Sequence, residues 1–282
     1  MPTVEIASSP LAPGVSPVRI HYRDAGAGPA VVVLHGGWGY DIYPFDHQVA
    51  ALAADHHVVI PDRSGYGGSG RVARQAIDFH RRGAEETFAV IDALGLARPI
   101  VWGHSDGAVI ALLMGLAQPD RLAGLIVEAA HFFRVKPASR AFFTAMIENP
   151  DSLGERVTSV LAREHGEAWR EVIRMNGAAW RRIADEWPTS DADLYGGRLS
   201  ELRVPTLVIH GGRDRRTEPG ELEALRAAMD RGGGPTEGRK RLRRIVVVDE
   251  GGHSPHSQRM TADDVTRAAT LFLAELRSGA HD

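Results

Sequence analysis

Gly103-His104-Ser105-Asp106-Gly107 sets a serine between two glycines, each two positions away. The apolar run Pro99-Ile100-Val101-Trp102 precedes it, and a helical pattern from Ala108 to Ala117 follows. Strand, Gly-x-Ser-x-Gly, helix is the context a nucleophile elbow requires. The turn is so tight that side chains at the two glycine positions would clash. The serine oxygen then lies at a helix N-terminus, where free N–H groups and the helix dipole favour negative charge. A hydroxyl is a weak nucleophile without an adjacent base. Gly251-Gly252-His253 supplies one, just after the run Ile245-Val246-Val247-Val248. His256 is close by but lacks the glycine pair that lets a loop approach the serine. The imidazole in turn needs an acceptor to fix its tautomer. Asp214, beyond Thr206-Leu207-Val208-Ile209, is the first choice, and Glu128, after Gly124-Leu125-Ile126-Val127, is the alternative acid.

Attack on a carbonyl creates an oxyanion, which two pre-placed N–H donors must meet. Asp106 offers one backbone N–H. The turn His35-Gly36-Gly37-Trp38 offers the other, from Gly37 first and Trp38 second. Trp38, Tyr40, Tyr43 and Phe45 follow this turn, and Trp38 and Tyr40 are expected to touch substrate. His104, beside the nucleophile, is read as a packing residue or a substrate contact. The carboxylate of Asp106, taken alone, reads as a local hydrogen-bonding group.

These residues must be carried to one place by the elements between them. Ala30-Val31-Val32-Val33-Leu34 and His57-Val58-Val59-Ile60 join the runs above as short, continuously apolar stretches, as buried parallel strands are. Val18 to Arg23 reads as an earlier strand. Helical patterns run over Gly83 to Leu94, ending at Gly95, over Ala108 to Ala117, and over Asp263 to Leu276. Such alternation predicts an α/β fold with a mostly parallel sheet and helices on both faces. The rhythm breaks between His131 and Leu199, where helices and aromatics (Phe132, Phe133, Phe142, Phe143, Trp169, Trp180, Trp187) recur without a strand. The chain therefore divides into a core of residues 1–130 and 199–282 and a helical insertion, 131–198. Gly232-Gly233-Gly234-Pro235 begins a loop.

Composition removes whole classes of function. The chain has 282 residues, 43% of them hydrophobic, enough for one large core. A formal charge of -3 argues against nucleic acid as partner. Arg239-Lys240-Arg241 with Arg243 and Arg244 reads as a solvated edge before a strand. Cysteine is absent, so thiol chemistry and disulfides are excluded. The start lacks a signal-peptide pattern, and no apolar run approaches the ~20 residues of a membrane helix. A cytoplasmic protein with a small-molecule ester partner is expected, with monomer and homodimer both left open. The scattered histidines show no metal-binding spacing.

Taken in order, the His-Gly-Gly turn, Asp62-Arg63-Ser64-Gly65-Tyr66-Gly67-Gly68-Ser69, the elbow, the Asp214 loop and the His253 loop resemble the α/β-hydrolase superfamily over nearly the whole chain. The resemblance implies an eight-stranded sheet, a cap formed by residues 131–198, and neither cofactor nor metal. Fold alone does not choose the reaction. Haloalkane dehalogenases and epoxide hydrolases of this fold use an aspartate at the elbow, so Ser105 disfavours both. A proline-directed aminopeptidase would show proline soon after His-Gly-Gly, where Trp38 stands. The Ser-Asp-Gly elbow is similar to that of valacyclovir-hydrolase-like enzymes, in which the acid after the serine helps bind an amino group. Hydrolysis of small carboxylic esters or lactones through an acyl-enzyme is the leading expectation. C–C or amide hydrolysis, or perhydrolysis, on the same triad is second. A binding protein on a hydrolase fold is third.

Overall fold

A computed structural model describes residues 2–186, 193–231 and 243–278. Eight strands form one sheet: β1 (Thr3–Ile6), β2 (Val18–Ala25), β3 (Ala30–Leu34), β4 (His57–Pro61), β5 (Ile100–His104), β6 (Gly124–Glu128), β7 (Thr206–Gly211) and β8 (Arg243–Val248). The helices are α1 (Asp46–Leu52), α2 (Phe79–Ala93), α3 (Asp106–Ala117), α4 (Arg140–Glu148), α5 (Glu155–His165), α6 (Trp169–Glu186), α7 (Glu221–Asp230) and α8 (Ala262–Ser278). Each apolar run of the sequence became a strand. The edge strand β1 and the short helix α1 carry too few residues to show a period. The structure adds both, together with α7.

The strand order is β1-β2-β4-β3-β5-β6-β7-β8. β1–β2 and β2–β4 pair antiparallel, and all later pairs are parallel. After β3 the chain turns to one side to make β4, then crosses back to lay β5 through β8 on the other. The carboxyl ends of β3 and β5 therefore diverge, which opens the crevice where open α/β sheets take ligands. Register fixes the neighbours there: Leu34 opposes Gly103, and His104 opposes Glu128. The sheet core is sealed on both faces. α2 and α3 cover one side, with Ala108 through Leu112 fully buried, and α1 and α8 cover the other. This all-round burial explains why α3 reads as apolar on every face.

α4, α5 and α6 fall between β6 and β7 and pack on each other, Phe143 against Trp180 with rings 5.7 Å apart and 9° from parallel. Such a pair adds about 0.5–1.5 kcal/mol beyond its buried area. The segment closes with a bridge between Phe133 and Asp193. Trp187, the Gly232 to Gly238 loop and Arg239-Lys240-Arg241 lie outside the described residues. Arg243 and Arg244 open β8, Arg243 donating to Leu202 O at 2.5 Å and Arg244 to Glu275 at 2.7 Å.

α5 fastens this insertion to the core. Glu164 accepts the backbone N–H groups of Tyr40 at 2.6 Å and Asp41 at 3.1 Å, and His165 donates to Trp38 O at 2.9 Å while accepting from Gly67 N. Burial pushes the Glu164 carboxyl up to about 8, Asp41 and Asp62 adding to the effect against the pull of the Tyr40 and Asp41 N–H groups. A folded-state value above the unfolded one means stability that is complete in acid and lost as pH rises through about 8. Relative to Glu164→Gln, the native chain is expected to lose melting temperature between about pH 4.5 and about pH 8 and to run level with it above that. Parallel curves for the two proteins would show that Glu164 is already ionised at neutral pH.

Candidate active site

The elbow is strained in the way its glycines foretell. Ser105 sits at φ 54, ψ -117, a region few non-glycine residues enter. A Cβ at Gly103 would lie 2.1 Å from Gly107 O, and one at Gly107 would lie 2.2 Å from Leu34 O. Both positions exclude any side chain, so α3 can begin directly beneath the serine. The backbone is held by the neighbouring strand, Ser105 N donating to Glu128 O at 2.9 Å.

His253 arrives from the loop after β8. Its Nε2 lies 3.0 Å from Ser105 Oγ, and its Nδ1 lies 2.9 Å from Asp214 Oδ2. Alcohol, imidazole and carboxylate are thus connected. Burial acts to raise the Asp214 carboxyl, but the adjacent His253, helped by the Arg216 N–H at 2.7 Å, holds it well below the carboxylate range. It therefore stays ionised wherever the imidazole needs it.

Glu128, the alternative acid, is placed elsewhere. It is fully buried and pairs with His256, Nδ1 to Oε1 at 2.6 Å, so it does not reach His253. Its carboxylate is taken up by His256, three residues beyond His253 on the same loop, whose backbone N–H it also accepts at 3.1 Å. His256 is itself buried, stacked on Phe45, with Nε2 donating to Tyr43 O at 3.0 Å. His104, Glu128 and His256 bring candidate metal-donor atoms within 4.8 Å of one another. Both ring nitrogens of His256 are engaged, and His104 Nε2 lies 3.0 Å from both His253 O and Ser254 Oγ. Hydrogen bonding thus accounts for the cluster. Burial, with His256 and His253 alongside, pushes the His104 imidazole well below its ordinary value, so it stands neutral behind the catalytic loop.

The oxyanion turn is set by a residue the sequence reading left unassigned. Arg63 donates to His35 O and, at 2.9 Å, to Gly36 O, which also lies 2.7 Å from His35 Nδ1. In a trans peptide the C=O and the next N–H point opposite ways. Pinning Gly36 O on Arg63 therefore aims Gly37 N–H away from Arg63. Among the described residues no hydrogen bond engages the N–H of Gly37 or of Trp38, and Asp106 at the start of α3 has no intrahelical acceptor for its own.

The pocket over Ser105, about 470 Å³ with its mouth included, is walled by Trp38, Tyr43, Phe142, Phe143, Met146 and Trp180. Trp38 and His104 line it. Tyr40 does not: its hydroxyl bonds Asp46 at 2.9 Å, its ring lies under Arg23, and it borders a separate surface cleft. Glu164, by holding the backbone N–H of Tyr40, turns that side chain away. The carboxylate of Asp106 lines the pocket but accepts from Asn176 Nδ2 at 2.8 Å, Trp180 Nε1 at 3.0 Å and His80 Nε2 at 3.2 Å. Of its two readings the geometry favours local hydrogen bonding, since these contacts tie α3 to α2 and α6. His131, Asn176 and Arg216 also face the pocket, and no spacing motif marks them in the sequence.

Among the described residues no helix is long and apolar enough to cross a membrane. The model of the alpha/beta hydrolase family matches residues 31–265. The 2-hydroxy-6-oxo-6-phenylhexa-2,4-dienoate hydrolase of Burkholderia cepacia is 35% identical over 226 residues, 72% of this chain and 77% of that one. Epoxide hydrolase A of Mycobacterium tuberculosis is 38% identical over 138 residues, 47% of this chain and only 42% of that protein. A thermophilic esterase from Thermogutta terrifontis superposes with a TM-score of 0.70 at 22% identity, covering 98% of this chain and 99% of that one, a likeness of fold. With the sheet order, the elbow and the match over residues 31–265 in agreement, the chain belongs to the α/β-hydrolase family.

Proposed function

We propose that this hydrolase cleaves small carboxylic esters or lactones through an acyl-enzyme on Ser105. The observation that carries the reading is the unbroken path from Ser105 Oγ through His253 to Asp214, at 3.0 and 2.9 Å, opening into an aromatic pocket. In the first step His253 Nε2 takes the serine proton as Oγ attacks the carbonyl carbon. The N–H groups of Gly37 and Asp106 receive the oxyanion, with Trp38 the second choice beside Gly37. The imidazolium gives its proton to the departing alcohol, and water activated by the same imidazole releases the acid. The fold likeness to the Thermogutta esterase is consistent with this chemistry.

A second reading, hydrolysis of a C–C bond beside a ketone, has its own support. Arg216 lies 4.1 Å over Phe142 and 4.7 Å over Trp38 at the pocket wall, and no carboxylate among the described residues pairs with it. A guanidinium so placed suits a substrate carrying a carboxylate, as the Burkholderia relative's dienoate does. Epoxide opening is disfavoured, because serine stands where such enzymes of this fold carry aspartate.

The test is a panel of aryl esters of graded acyl length, lactones, a 6-oxo-dienoate and an epoxide, run beside a fluorophosphonate label. Ester turnover with labelling of Ser105 is expected. Turnover of the dienoate alone would move the assignment to C–C hydrolysis. Because Asp106 has three internal donors, an α-amino ester and its uncharged analogue are expected to show equal kcat/KM; a marked preference for the amine would restore the amine-binding reading.

A further inference from the structure

His131 follows β6 by three residues and is 5% exposed. Its Nε2 lies 3.5 Å from Ser105 Oγ, and its ring lies near-parallel to that of His253, 5.6 Å away at 27°. The serine thus has two histidines at its oxygen, only one of which has a carboxylate within hydrogen-bond distance of its far nitrogen. The far nitrogen of His131, Nδ1, meets a cation instead: Lys136 Nζ at 3.2 Å. Lys136 in turn pairs with Glu221, and both side chains are 1% exposed.

The chemistry of these contacts fixes a proton. An ammonium group can only donate, so Nδ1 of His131 must accept. The one ring proton is therefore on Nε2, facing Ser105 and the pocket. Glu221 cannot readily leave Lys136, because it is anchored by the N–H groups of Phe132 at 2.6 Å, Phe133 at 2.8 Å and Glu218 at 2.7 Å. Burying an ammonium–carboxylate pair is costly for stability. A pair placed directly behind an active-site imidazole points to a role there.

We propose that His131 is a catalytic hydrogen-bond donor held neutral by the buried Lys136–Glu221 pair, presenting Nε2–H to the oxygen atoms at the reacting centre. The proposal rests on Ser105 being the nucleophile. Its 3.5 Å distance to the resting hydroxyl leaves the N–H free to shorten onto the ester oxygen formed by Ser105, or onto a substrate oxygen beside it. Neutrality matters because His253 becomes an imidazolium during each step. A second imidazolium stacked on it at 5.6 Å would oppose that proton transfer. Lys136 prevents this by placing its charge on the side of His131 where a second proton would bind.

The charged and titratable groups around the ring are consistent with this. Lys136 and Glu221 face Nδ1, while Ser105 and His253 face Nε2. Asp106, Asp214 and His104 act from beyond them. Burial lowers the His131 imidazole to about 4, with Lys136 the next cause and Glu221 opposing. Removing the ammonium would leave Glu221 Oε2, at 3.9 Å, to draw a proton onto His131.

The rate at which a fluorophosphonate labels Ser105, followed against pH, reads this without knowledge of the natural substrate. His131→Leu is expected to label about 10²-fold more slowly, the loss typical of one such donor. His131→Gln, which keeps an N–H donor but does not titrate, is expected to recover most of that rate. Lys136→Met is expected to add a second ionisation to the acid limb, and Lys136→Met with His131→Gln to remove it again. Thermal melts identify any variant that fails to fold, in which case the Gln and Leu variants at His131 decide by their ratio. Equal labelling by His131→Leu and the native chain, or an unaltered pH profile in Lys136→Met, overturns the proposal. Failure of the native chain to label at all would instead overturn the assignment of Ser105.

Discussion

Replacing Ser105 with alanine is expected to lower kcat on the best ester by about 10⁴–10⁶-fold and to abolish fluorophosphonate labelling. The size follows from what the hydroxyl alone supplies. In the proposed mechanism its oxygen forms the new bond to carbon, and its proton passes to His253 Nε2, 3.0 Å away. Without it the pocket retains the N–H donors of Gly37 and Asp106, which still polarise a carbonyl and leave a small residual rate from bound water. Stability is expected to move the other way. Serine at φ 54 is held against its backbone preference by the register of β5 with β6, a cost that alanine shares, while the buried polar oxygen goes. A Ser105→Ala protein that melts at or above the native temperature yet retains more than about 1% of the activity would show that another residue performs the attack.

The path from sequence to this site was uneven for physical reasons. Ser105, His253 and Asp214 are readable because each follows a strand in the parallel part of the sheet, so each leaves the sheet at the same edge. The glycines beside Ser105 and His253 carry the further information that backbone passes close by. His131 obeys the first rule more loosely, following β6 by three residues as Asp214 follows β7, and could have been found by it. Its partners Lys136 and Glu221 are separated by 85 positions and meet only because α7 packs beneath the chain that leaves β6. Arg63 lay within a segment marked by family resemblance, but its role depends on which carbonyl its guanidinium reaches. Tyr40 was misplaced because proximity to the oxyanion turn says nothing of direction, which Glu164 decides from another helix. Asn176 and Trp180 belong to α6, and the angle at which an inserted helix crosses a sheet edge is not written in its periodicity.

Glu128 and Asp214 are both acids at the ends of neighbouring strands, and substitution is expected to separate them by orders of magnitude. Asp214→Asn places an amide against His253 Nδ1. The amide can turn its N–H₂ toward the ring, so that Nδ1 accepts and the ring proton moves to Nε2, where it blocks the serine. The loss expected in kcat is about 10⁴-fold, with little change in KM, because substrate does not touch Asp214. Glu128→Gln leaves that tautomer alone. It removes the charge from a bond to His256 at 2.6 Å in a fully buried place, which is expected to cost about 1.5–3 kcal/mol of stability. Its effect on kcat is expected to stay below about tenfold, transmitted through His104, whose ring lies 4.9 Å from His256 and 5.2 Å from His253. The melting temperature and kcat, measured on both variants, should therefore move in opposite order. Were Glu128→Gln the deeper loss in turnover at intact stability, the acid that orients His253 would lie on β6, and the loop after β7 would have only a structural part.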